Sequence, residues 1–176
     1  MPTIRQPLRK QLGVTMVEVM MGIAVTGVLT TAALPSFDNM LRKRHLAPTT
    51  NELLTSLNLA RSEAMTRGGR VAVVARDANW AAGWQVFVDA NDNGELDASE
   101  QVIRDFSPAA PGMTITPQFG ITYPGTVLSY EGTGRLAHPG NHGLVLGRLT
   151  LAQGGDVRSL CFASLRVRVA KALTCS

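Results

Sequence analysis

Gly13-Val14-Thr15-Met16-Val17-Glu18 opens an apolar run that closes at Leu34-Pro35, and the reading of that run decides the fold. From Val14 to Leu34 there are 21 residues and one charge, Glu18. As a helix such a run is about 30 Å long, the thickness of a bilayer's hydrocarbon core. Arg5, Arg9 and Lys10 precede it with no acid among them. Basic flanks stay on the cytoplasmic side, so the N-terminus is expected there and the remaining ~140 residues across the membrane.

Glu18 is the informative residue. A carboxylate inside a bilayer is costly and marks a function. The run offers no Lys, Arg or His to pair with it. A cut after Gly13 would create an α-amine on Val14, and that amine, from the same chain or a neighbour, is the available cation. Two plainer readings compete. A secretory signal peptide cut near Ala32-Ala33 would have an apolar core longer than the usual ~7–15 residues. An ordinary single-pass anchor would carry its acid to no purpose.

Taken together, the basic leader, Gly13, Val14, Glu18, the apolar helix and Pro35 resemble a type IV prepilin processing site. Val14 stands where that family usually has Phe. Further on, Ala60-Arg61-Ser62-Glu63-Ala64 is similar to the segment that ends the long helix of minor pilins of the FimT/GspH type. The resemblance implies cleavage after Gly13 by a prepilin peptidase and methylation on Val14. It implies a single-pass protein of the bacterial inner membrane, later built into a filament with other pilin or pseudopilin subunits. Glu18 would pair with a neighbour's amine during assembly. The resemblance leaves two machines open, a type IV pilus and a type II secretion pseudopilus.

After Pro35 the helical signal resumes. Leu53, Leu57, Ala60 and Ala64 recur on one face, with Leu54 and Met65 alongside. Gly68-Gly69 then stops the helix. One helix is therefore expected from Val14 to Arg67, bent at Pro35 and Pro48. Beyond Arg70 short runs separated by Gly, Pro, Asn and Asp read as strands: Val71–Ala75, Trp84–Val88, Gln101–Phe106, Met113–Thr116, Val127–Tyr130, Leu144–Leu149, Leu160–Ala163 and Arg166–Val169. Four prolines make 107–125 the expected long loop. The fold class is α+β, a long N-terminal helix, partly transmembrane, packed on an antiparallel sheet domain. Its parts are a leader over 1–13, a transmembrane and assembly helix over 14–35, an amphipathic continuation over 36–69 and a β-rich domain over 70–176.

Charge is unevenly placed. The chain is formally +4, but three of its 17 basic residues lie in the leader, leaving 14 against 13 acids. Residues 77–105 carry seven acids and one Arg, whereas residues 132–176 carry six basic residues and one acid.

Two stretches could bind something. Asp89 to Glu100 satisfies the calcium-loop pattern, with Asp89, Asn91, Asn93, Glu95 and Glu100 as oxygen donors. That makes a membrane-anchored calcium module an alternative of another class. The flanks read as strands, however, and the competing expectation is a hairpin with a type I′ turn at Asn93-Gly94. At the C-terminal end, Arg166 and Arg168 share one face of a strand, with Lys171 and Arg158 near in sequence. Guanidiniums so placed suit phosphate contacts, and double-stranded DNA is the implied partner. Leu165-Arg166-Val167-Arg168 resembles the G-R-x-R motif of FimT-like pilins that take up DNA, with Leu165 in place of Gly.

Cys161 and Cys175, an even pair in an exported domain, are expected to form a disulfide. No nucleophile motif, phosphate-binding Gly-rich loop or paired-acid scaffold accompanies the three histidines, so no enzyme and no resident cofactor is expected.

Overall fold

The computed structural model describes residues 13–120, 125–163, 166–172 and 175, and within its helix the side chains of residues 30–44 are not described. The leader, apart from Gly13, lies outside the described residues, as does Leu165. The chain forms two compact units, Met1–Asn39 and Met40–Ser176.

A single helix, α1, runs Met16–Arg67 and contributes to both units. Neither Pro35 nor Pro48 ends it. Within the first unit its described side chains are exposed on every side: Met16, Val17, Met20, Met21, Ile23 and Val28 each show more than 60% of their surface. Among the described residues no helix is long and apolar enough to cross a membrane. The expected span over 14–35 extends past Leu29 into residues whose side chains lie outside those described.

In the second unit the helix behaves as its periodicity requires. Leu46, Leu53, Leu57, Ala60 and Ala64 are buried. Thr49, Thr50 and Ser56 are buried there too, and two of them are satisfied locally: Thr50 Oγ1 donates to the Leu46 carbonyl at 2.5 Å and Ser56 Oγ to the Leu53 carbonyl at 2.7 Å. Gly68, at φ +64°, reverses the chain, and the Gly69 N–H returns to the Ala64 carbonyl at 3.3 Å. That bond satisfies one of the last turn's open acceptors.

The described strands are β1 Val71–Ala75, β2 Trp84–Val88, β3 Val102–Phe106, β4 Thr114–Phe119, β5 Val127–Tyr130, β6 Leu136–Ala137, β7 Leu146–Gln153, β8 Asp156–Ala163 and β9 Arg166–Ala170. They form two sheets, ordered β3-β2-β1-β5-β6 and β4-β7-β8-β9, with every named pairing antiparallel. One buried cluster joins α1 to both: it holds Leu53 and Leu57 together with Val73 and Leu128 of the first sheet and Leu149 and Leu160 of the second. Ala60 and Ala64, both fully buried, belong to the same cluster.

Three expectations need correction. Residues 107–125 are not one loop, because β4 lies within them and holds Pro117. Pro117 is tolerated because β4 is an edge strand, where a missing N–H leaves no ladder bond unmade. The type I′ turn is not at Asn93-Gly94. Asn93 is outside the left-handed region, while Asp92 (φ 59°) and Gly94 (φ 75°) are inside it. The tight two-residue turn is at Gly154-Gly155 (φ 59° and 87°), where Gln153 pairs with Asp156. It lengthens β7 and β8 beyond the runs read from the sequence. The two-residue strand β6 was also missed, being too short to show a period.

Candidate functional site

Three places carry the candidate residues. At the N-terminal segment, Gly13, Val14 and Thr15 precede the helix. Thr15 caps it: the Glu18 N–H lies 3.1 Å from the Thr15 carbonyl and 3.3 Å from its Oγ1, and the Val19 N–H reaches the same carbonyl at 3.2 Å. Thr15-Met16-Val17-Glu18 has the spacing of a capping box, and an acid in the first turn suits the positive end of the helix dipole. This cap was readable in the sequence and was overlooked beside the apolar run. Glu18 is exposed, one turn from Val14, with the exposed apolar residues Val17 and Val19 on either side of it in sequence.

The second place is the loop of residues 89–101 between β2 and β3. Asp89 is almost fully buried at 1% exposure. Its two carboxylate oxygens accept from the Asn93 N–H at 3.1 Å and the Gly94 N–H at 3.1 Å. Glu100 accepts from the Ala90 N–H at 2.8 Å and the Asp97 N–H at 3.1 Å. Asn91 and Asn93 accept from the Asn93 and Glu95 N–H groups and donate to Asp97. Glu95 itself points to solvent. Apart from Glu95, the donors of the calcium pattern thus have oxygens engaged with the loop's own amides. Among the described residues no three His, Cys, Asp or Glu side chains are grouped to hold a metal ion. Burial holds the Asp89 carboxyl above its usual value; the two N–H donors work against that, and Glu100 and Asp92 add to it.

The loop also covers something. Leu96 packs on Ala72, Phe87 and Val127, on the face of the first sheet away from α1. An ionic cluster pins it there. Arg70 Nε lies 2.6 Å from Asp92, Arg70 Nη2 3.3 Å from Glu131, and Arg135 Nη2 3.1 Å from Glu131. His142 joins both acids, at 3.0 Å from Glu131 and 3.5 Å from Asp92. Burial pushes the Glu131 carboxyl up, but the bonds from His142 and Arg135 and the charges of Arg135 and Arg70 hold it below its ordinary value.

The third place is the basic end, and here the expected set divides. The register sets Gln118 beside Arg148, Arg148 beside Cys161 and Cys161 beside Arg168 across four strands. Arg166 follows on the same face of β9. Arg166 and Arg168 are exposed, and Arg148 is steadied by Gln118 at 2.6 Å. Cys161 is joined to Cys175 with their Cα atoms 5.8 Å apart, as expected. Just past β9, the Ala172 carbonyl accepts from Ser159 Oγ at 2.7 Å, and Ser159 is fully buried. Arg158 falls on the opposite parity of β8. It lines a groove of about 520 Å³ with Lys171, Leu46 and Ala47, away from the Arg166–Arg168 face. Arg148 takes the place in the row that sequence reasoning had given to Arg158 and Lys171. Only the register, which joins strands distant in sequence, reveals it.

Known proteins agree with this architecture. The family model described as type II transport protein GspH matches residues 49–167, and that of the prokaryotic N-terminal methylation motif matches residues 8–34. No curated protein matches the chain. The crystal structure of the type IV minor pilin FimU of Pseudomonas aeruginosa strain PAO1 is similar in fold. It has a TM-score of 0.54 and 20% identity over 73% of this chain and 90% of that one. A second crystal form of the same protein gives 0.47 and 18% over 71% and 92%. The chain belongs to the GspH family, carries the prokaryotic N-terminal methylation motif and shares its fold with a type IV minor pilin.

Proposed function

We propose that the chain is a minor pilin of a type IV pilus, cut between Gly13 and Val14, methylated on Val14 and held in the inner membrane until assembly. The observation that carries this reading is the start of α1, a capped helix apolar on every side with Glu18 in its first turn. Such a surface needs an apolar environment from outside the chain, first lipid and then neighbouring pilin helices. In that environment Glu18 requires a cation, and the amine of an adjacent subunit's first residue supplies it. The minor-pilin description of the structure similar in fold supports the pilus. The family model's description supports the alternative, a pseudopilin of type II secretion. Glu18→Ala is the test. It should leave insertion and cleavage intact and reduce incorporation into pili; normal incorporation would refute the pairing.

A second reading concerns double-stranded DNA. The row of Arg148 and Arg168 with Arg166 beside it presents three guanidiniums on one sheet face, held by the Cys161–Cys175 link. It would bind backbone phosphates with little sequence preference and marked salt dependence. Arg166→Ala/Arg168→Ala should weaken DNA binding uniformly and flatten the salt slope by about two contacts. Equal binding by the wild type and this variant would end the reading.

A further inference from the structure

We propose that the groove between α1 and the β7–β8 turn holds the phosphate of an anionic phospholipid headgroup. This inference rests on the membrane-anchor reading above. Leu46 and Ala47 form an apolar wall, Val157 and Asp156 stand opposite, and Arg158 and Lys171 bring two positive charges. At about 520 Å³ the groove has room for a phosphodiester headgroup. Among the described residues neither Arg158 nor Lys171 forms an ion pair. Arg158 is half-buried. Asp156 shares the groove but, among the described residues, is not within ion-pair distance of Arg158, so a guanidinium drawn partly out of water lacks a close anion. An external phosphate corrects that imbalance, and the apolar wall beside it accommodates the start of an acyl chain.

Chain position supplies the source of the phosphate. Ala47 follows Pro35 by 12 residues. The connection itself reads Arg42-Lys43-Arg44, a segment attracted to the same anionic surface. Arg166 and Arg168 line a different depression, beside Cys161 and Cys175, and so serve as an internal control.

The experiment uses the full chain. Membranes are first washed with carbonate, and the retained protein is solubilised in neutral detergent with equal amounts of phosphatidylglycerol and phosphatidylcholine. Native mass spectrometry then counts the lipid that remains bound. The wild type should retain phosphatidylglycerol preferentially, by about fivefold for each cation of the groove. Arg158→Gln/Lys171→Gln should lose that part of the preference, and Arg166→Gln/Arg168→Gln should keep it. An unchanged preference in the first variant, or an equal loss in both, overturns the groove. Displacement of the lipid by inorganic phosphate or duplex DNA at matched phosphate concentration overturns the lipid assignment. Release of the wild type by carbonate defeats the anchor reading and this proposal with it, whereas retention without a lipid preference defeats the groove alone.

Discussion

The two halves of α1 are built from similar residues and live by different rules. From Val14 to Leu29 apolar side chains point in all directions and are exposed; from Leu46 to Ala64 they keep to one face and are buried. The second half is stabilised by its own chain, through two sheets and a shared core. The first half has no such cover among the described residues, and its sequence makes sense only with a solvent or partner from outside. The comparison teaches that periodicity, more than hydrophobicity, tells where a helix finds its partner.

The largest effect should come from the buried half. Leu57 is fully buried, so Leu57→Ala should cost about 2–5 kcal/mol in denaturant unfolding. Val25→Ala, in the exposed half, should leave the melting temperature of the sheet domain unchanged. An equal loss from both would erase the distinction.

Next in size is the loop that covers the far side of the first sheet. Asp89→Ala leaves the Asn93 and Gly94 N–H groups without their acceptor and should cost about 1–3 kcal/mol. Millimolar calcium should not raise the melting temperature of the wild type; a clear rise that Asp89→Ala abolishes would restore the metal reading.

The ionic cluster should show itself as a pH dependence. The folded value of Glu131 is depressed. Its stabilisation is therefore full above the ordinary Glu range and is lost as the pH falls through the depressed value. Asp89 acts in the opposite sense, since its folded value is raised; its ionisation opposes folding as the pH climbs from the ordinary Asp value to the raised one. Glu131→Gln should cost roughly 1–2 kcal/mol at neutral pH and remove the acid-side loss from thermal melts. An unchanged pH profile would show that the cluster does not lock the loop.

The smallest effect belongs to the first half. Thr15→Ala removes the helix cap and should cost about 1 kcal/mol locally. Hydrogen exchange should quicken at Glu18 and Val19 while the strands keep their protection.

Much of this was legible in the sequence, for physical reasons that differ by region. Leu53, Leu57, Ala60 and Ala64 announce their face because a helix repeats every few residues along one chain. The link between Cys161 and Cys175 followed from the pairing expected of two cysteines in a domain read as exported. The row Gln118–Arg148–Cys161–Arg168 could not be read, because it is assembled from four strands whose register depends on turns and core packing. The Asp89–Glu100 pattern was ambiguous for a different reason. The same oxygens that suit a cation also suit backbone amides, and a sequence pattern does not say which they meet. Pro117 reads as a breaker until β4 is known to be an edge.

The central claim is that the apolar start of α1 is a processed assembly segment. Intact mass of the protein isolated from native membranes tests it most directly. The account predicts a chain that begins at Val14 and carries one added methyl group. A chain that retains the leader, or one cut near Ala33, would contradict it.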